Sequence, residues 1–193
     1  MQRIATPLPG LQLLEPTVHG DERGFFMETW NAQTFSELGI AANFVQDNHS
    51  SSRQGILRGL HYQIQHSQGK LVHAVRGSIF DVAVDLRQSS PTFGQWYGVE
   101  LSAANKLSLW IPAGFAHGFY VTSEEAEMVY KCNDYYAPQH EITLAWDDPT
   151  LAIDWPLIAD EPVQLSAKDR KGLSFEEAPK FSYIFHVAST LSS

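Results

Sequence analysis

Cysteine is nearly absent: Cys132 stands alone in 193 residues, which rules out an intramolecular disulfide and a thiolate cluster for a metal. A reducing compartment, the cytoplasm, is the expected setting. Basic residues are scarce too. With 13 Lys and Arg against 22 Asp and Glu, the net charge of −9 argues against binding along a nucleic-acid backbone. A few basic side chains gathered in one cleft can still focus potential onto a small anion. Long apolar runs are missing: no segment approaches the roughly 20 apolar residues of a membrane span, and Met1 to Pro16 lacks the basic start and apolar stretch of a leader. No membrane partner is expected. Helical periodicity is rare as well. Asn31 to Leu38 reads as one short helix, capped by Asn31 and ended at Gly39, and a second is expected in the C-terminal segment.

What the chain has in quantity is short β-rich segments divided by turn residues, the pattern of a sandwich or barrel. The expected strands run from Gly24 to Trp30, Asn43 to Ser50, Ile56 to Gln63, Leu71 to Arg76, Ile79 to Asp85, Gln95 to Leu101, Leu107 to Ile111, Gly118 to Val121, Glu127 to Asn133 and Glu141 to Trp146. Gly77-Ser78 is placed as the turn of a hairpin from Leu71 to Asp85. In its second strand Phe80, Val82, Val84 and Leu86 share one face and Asp81, Ala83 and Asp85 the other. Strands at this density must hide their edges, so the fold class expected is all-β, a double-stranded β-helix or jelly roll with a few short helices. One domain is expected over 1–193, with the motifs between about 20 and 169 and a C-terminal extension from about 171 to 193. Apolar stretches such as Trp96 to Val99 and Leu107 to Ile111 suit a subunit contact, and a closed homodimer is the expected assembly.

Several of these segments carry groups with chemistry. Leu57-Arg58-Gly59-Leu60-His61-Tyr62-Gln63 sets Arg58 and His61 three apart, which strict alternation would send to opposite faces. A Gly between them marks a bulge that can return both to one cavity. Alone, such a pair would read as a hydrogen-bonded core His and a surface Arg. Lys70 stands at the entrance of the next strand, where an isolated Lys is ordinarily a solvated charge. Pro112-Ala113-Gly114-Phe115-Ala116-His117 is more distinctive, because a Pro-x-Gly turn delivers His117 into an aromatic strand. Asp81 is the expected partner behind that His.

That last segment resembles the second motif of the cupin superfamily. The first cupin motif supplies a His-x-His pair and a Glu for a metal, but here His61 is followed by Tyr62-Gln63 and the chain has no His-x-His. This spacing does not assemble three ligands, so no metal and no other cofactor are expected. Taken together, Gly20 to Phe26, Val45 to Ser50, Leu57 to Gln63, Gln68 to Leu71, Phe80 to Asp85, Ser90 to Trp96, Trp110 to Phe119 and Ser166 to Asp169 resemble the dTDP-4-dehydrorhamnose 3,5-epimerase family, a metal-free cupin branch.

The resemblance implies a dTDP-linked 4-keto-6-deoxyhexose substrate whose carbons beside the ketone lose a proton and regain one on the opposite face. Such a step needs a base, an acid and a positive group at the enolate oxygen. By resemblance His61 is the base, Asp169 the carboxylate that orients it, Tyr130 the acid and Lys70 the enolate stabiliser, assisted by His117. Arg23, Arg58 and Lys168 correspond to positions that meet the sugar nucleotide and its diphosphate. Glu28, Gln46, Asp47, Asn48 and Glu141 fall at polar binding positions, and Tyr136 matches an aromatic that stacks on thymine. The same motif set suits relatives that invert only C5 or only C3. A metal-dependent cupin enzyme and a non-catalytic sugar-nucleotide binder stand as the alternatives from other classes.

Overall fold

The structure is a computed structural model and describes residues 1–159 and 161–182. Among them are thirteen strands: β1 (Gln2–Ala5), β2 (Gln12–Glu15), β3 (Val18–Asp21), β4 (Gly24–Met27), β5 (Gln46–Arg53), β6 (Leu57–Gln63), β7 (Lys70–Arg76), β8 (Ser78–Asp85), β9 (Trp96–Ser102), β10 (Ser108–Ile111), β11 (Phe115–Val121), β12 (Glu125–Cys132) and β13 (Glu141–Thr143). They form a six-stranded sheet in the order β1-β2-β10-β7-β12-β5, a five-stranded sheet in the order β13-β6-β11-β8-β9, and the separate hairpin β3-β4. The expected all-β jelly roll is the observed one. Every ladder within the sheets is antiparallel.

Alternation along the strands decides what lies between the sheets. Val72, Ala74, Leu109, Ile111 and Met128 from the first sheet meet Ile79, Ala83, Leu101, Phe115 and Phe119 from the second in one apolar core. The opposite face of the second sheet, carrying Leu57, Leu60, Tyr62, Val82, Val84 and Tyr120, is covered by later chain through Leu151, Trp155 and Phe181. The outer face of the first sheet presents Leu14, Leu71 and Trp110 to α1 (Ala32–Glu37). Asn31 caps α1 by accepting from the backbone N–H groups of Gln33 and Thr34 at 3.0 and 3.2 Å. Phe35 is 1% exposed beneath it, a burial that contributes about 1.5–3 kcal/mol.

The Leu71 to Asp85 hairpin is corrected by the topology. β7 belongs to the six-stranded sheet and β8 to the five-stranded one, so Gly77 is a corner between sheets. Gly77 has φ +65°, and a Cβ there would lie 2.0 Å from the carbonyl oxygen of Glu125. The neighbouring Ser78 N–H is taken up by Ser123 Oγ at 2.8 Å. A tight turn and a sheet-to-sheet corner demand the same local residues, and only the distant partner separates them. The expected face pattern of β8 survives, since Val82 and Val84 pack outward while Ala83 packs between the sheets. The strand expected from Asn43 begins at Gln46 and continues to Arg53. The expected C-terminal helix finds only the 3-10 turn Asp169–Lys171 among the described residues, and 183–193 lie outside them.

Candidate active site

The site begins with an irregularity in β6. Opposite β11, His61 pairs with His117 and Arg58 with Phe119, so three steps on one strand answer two on the other. Gly59 absorbs the extra residue at φ +117°, and the Gly59–Leu60 peptide is cis. A Cβ on Gly59 would sit 2.5 Å from Gly118 Cα and 2.7 Å from the His117 carbonyl oxygen, so no other residue fits this backbone without displacing β11. The bulge returns Arg58 and His61 to one face, and both line a cavity of about 320 Å³ between the sheets.

His61 Nε2 lies 2.5 Å from Asp169 Oδ1. Asp169 is 3% exposed and is itself held by Ser166, whose hydroxyl donates to Oδ2 at 2.7 Å and accepts from the Asp169 backbone N–H at 3.1 Å. Burial works against the Asp169 carboxylate, but the hydrogen bonds from His61 and Ser166 outweigh it and its pKa lies below the ordinary carboxylate value. With Nε2 engaged as donor to a carboxylate, Nδ1 is the nitrogen with a free lone pair. Tyr130 stands on β12 in the opposite sheet, level with Asn48 and Val72. Burial raises its phenol pKa, with the nearby Cys132 adding to it, which keeps the proton on the oxygen at neutral pH.

Lys70 opens β7 and pairs with Ile111 and Cys132. Removal from water lowers its ammonium pKa, opposed by Cys132, Glu141 and Asp81. His117 and Asp81 form a second buried pair, Nε2 to Oδ2 at 2.9 Å. At the mouth, Glu141 Oε2 accepts from Lys168 Nζ and from the Tyr136 hydroxyl, each at 2.9 Å. Burial pushes the Glu141 pKa up, but these two donors outweigh it and hold it below the usual range. Gln46 Nε2 donates to Asn48 Oδ1 at 3.0 Å, and Gln46 Oε1 accepts from the Tyr136 backbone N–H at 2.9 Å.

The cavity therefore gathers Gln46, Asn48, Arg58, His61, Lys70, His117, Tyr130, Tyr136, Glu141 and Lys168. Asp169 lines an adjoining recess that shares Arg58, His61 and Lys168. Three other residues expected at the site lie elsewhere. Arg23 is on the β3-β4 hairpin, bonded to Asp21 and exposed, in a concavity apart from the one that holds His61 and Tyr130. Glu28 follows that hairpin and accepts from Asn31 Nδ2. Asp47 points outward from β5 to an ion pair with Lys131 at 2.9 Å. Gln68, Ser50 and Ser166 were not singled out from the sequence. Of these, Ser166 had a readable signal, the Ser-x-x-Asp spacing that lets a hydroxyl and a carboxylate bond reciprocally.

An imidazole–carboxylate pair and a phenol on facing sheets, with a half-buried ammonium beside them, line one cavity of a cupin-type jelly roll. Among the described residues no three His, Cys, Asp or Glu side chains converge as metal ligands would. A family profile described as dTDP-4-dehydrorhamnose 3,5-epimerase matches residues 5–177, and the chain belongs to that family. It is 57% identical over 182 residues to a Pseudomonas aeruginosa protein named dTDP-4-dehydrorhamnose 3,5-epimerase, covering 94% of this chain and 99% of that one. A crystal structure of a Legionella pneumophila dTDP-6-deoxy-D-glucose-3,5-epimerase in complex with dTDP-4-keto-L-rhamnose superimposes with TM-score 0.92 at 52% identity, covering 95% and 98%. A 3'-monoepimerase from Streptomyces bikiniensis in complex with dTDP-quinovose follows with TM-score 0.81 at 35% identity, covering 88% and 85%.

Proposed function

We propose that this protein converts dTDP-4-keto-6-deoxy-D-glucose to dTDP-4-keto-L-rhamnose by inverting C3 and C5 through an enolate. The observation that carries the reading is the placement of the His61–Asp169 pair and Tyr130 on opposite walls of one cavity. His61 Nδ1 takes the proton from the carbon beside the ketone, and its imidazolium is stabilised by Asp169 at 2.5 Å. The electron pair moves into the enolate, whose oxygen is met by the Lys70 ammonium in a half-buried cavity. Tyr130 returns a proton to the other face, and solvent restores the phenol and removes the proton from His61. Arg58, Lys168, Gln46, Asn48 and Glu141 hold the diphosphate and nucleoside, with Tyr136 against the base.

The assembly we propose is a cytoplasmic homodimer. Phe25 and Phe26 on β4 are 61% and 71% exposed, an unusual load of aromatic surface for a lone hairpin. In the dimer this hairpin reaches the second copy and brings Arg23 and Glu28 to the nucleotide end of its cavity. Mixing His61→Ala and Arg23→Ala subunits should restore activity to part of the population if Arg23 acts in trans.

The reaction itself is tested by incubation with dTDP-4-keto-6-deoxy-D-glucose in deuterated water, followed by NMR. Deuterium at C3 and C5 is expected, with loss of label in His61→Ala. Label at one carbon only would assign a single inversion, as in the monoepimerase relative, and epimerised product without label would overturn proton exchange with solvent.

A further inference from the structure

We propose that Gln63 is a positioning residue for nucleotide binding, its carboxamide pinning the loop that presents Tyr136 to the cavity. This rests on the sugar-nucleotide reading above and goes beyond it. Gln63 closes β6 two residues after His61, so the two side chains leave the strand on the same face. It is 4% exposed and does not line the cavity. Its amide is instead spent on backbone. Nε2 donates to the carbonyl oxygens of His66 at 2.7 Å and Tyr135 at 3.2 Å, and Oε1 accepts from the Ala137 N–H at 2.8 Å.

The contacts to Tyr135 and Ala137 bracket Tyr136. That residue is 51% exposed, in the connection after β12, where no strand ladder fixes the backbone. Its remaining ties are its own N–H to Gln46 and its hydroxyl to Glu141, both side chains at the same mouth. Lys70 is different, because its backbone is held in the ladders to β10 and β12. Loss of the Gln63 amide should therefore loosen the ring of Tyr136 and leave the proton-transfer groups in place.

Gln63→Met keeps the length and removes both polar functions. Thymidine diphosphate binding, measured by calorimetry, should weaken by about tenfold, the worth of one or two hydrogen bonds, while kcat stays within about threefold. Tyr136→Ala should weaken binding similarly, and the double variant should add little further, because both changes remove one function. Gln63→Glu retains the acceptor for Ala137 but sets a carboxylate oxygen against the His66 and Tyr135 carbonyls, so it should weaken binding at least as much, and it serves if the Met variant does not fold. Unchanged affinity in a folded Gln63→Met, or full additivity with Tyr136→Ala, would overturn the proposal. Hydrogen exchange at the Tyr136 and Ala137 amides tests the clamp without ligand: faster exchange in Gln63→Met supports it and unchanged exchange sinks it. Should the wild type itself not bind thymidine diphosphate, the sugar-nucleotide reading fails and this exchange measurement still judges the clamp.

Discussion

Asp169→Asn is the substitution whose effect can be worked most directly from the geometry. Asn is nearly isosteric, so Ser166 keeps an oxygen acceptor and the amide nitrogen turns toward His61 Nε2. Nε2 must then accept, the ring proton moves to Nδ1, and the lone pair that faced the substrate is gone. The charge is lost as well. For charge centres about 4 Å apart at an effective dielectric near 20, the attraction to the imidazolium is about 4 kcal/mol, or about a thousandfold in rate. With the tautomer effect added, kcat should fall about 10³- to 10⁴-fold. Thymidine diphosphate affinity should stay within about threefold, because Asp169 stands behind His61. Steady-state kinetics with calorimetric titration separates the two. A kcat within tenfold of wild type, or an equal loss of nucleotide affinity, would refute the tautomer argument. Acid unfolding gives a second check. The folded pKa of Asp169 is depressed, so its contribution to stability is complete above the unfolded value of about 3.9 and is lost as pH falls through the lower folded value. The stability gap between wild type and variant should be constant near neutrality and close below about pH 4.

Three further outcomes follow from the same walls. Lys70→Met should lower kcat about 10²- to 10³-fold; because burial depresses the Lys70 pKa, wild-type activity should decline with rising pH before the ordinary lysine value, and this alkaline limb should vanish in the variant. Tyr130→Phe removes the acid but not the base, so deuterium should still enter recovered substrate by NMR while epimerised product falls about 10²- to 10⁴-fold. Gly59→Ala combines a left-handed backbone with a 2.5 Å approach to β11, and thermal unfolding should show a loss of roughly 3 kcal/mol or more.

Local conflict proved as informative in the sequence as local agreement. Arg58 and His61 violate alternation with a Gly between them, and the bulge that resolves this conflict is the structural origin of the site. Asn31 and Gly39 bounded α1 because capping uses only groups within a turn of the chain. The pairing of Asp81 with His117 was legible from the faces of their strands, and Ser-x-x-Asp would have revealed Ser166. What escaped depends on distant partners. Gly77-Ser78 satisfies a hairpin and a corner equally, and the choice rests on Glu125 and Ser123, nearly fifty residues away. Asp47 alternates outward between the inward-facing Gln46 and Asn48, so its place outside the cavity was readable in principle once the strand was known to begin at Gln46. Arg23 sits on a hairpin outside both main sheets and Glu28 directly follows it, and the pattern of one chain cannot say what that hairpin faces.

His61 rides on β6, which has β11 on one side and β13 on the other, whereas Gln46 and Asn48 ride on β5, the outermost strand of its sheet. A substitution on β5 disturbs one neighbour; a substitution on β6 disturbs two. Changes to the proposed ligand contacts Gln46 and Asn48 can thus accumulate at a sheet edge, while the proposed proton-transfer groups His61 and Tyr130 ride on strands held from both sides.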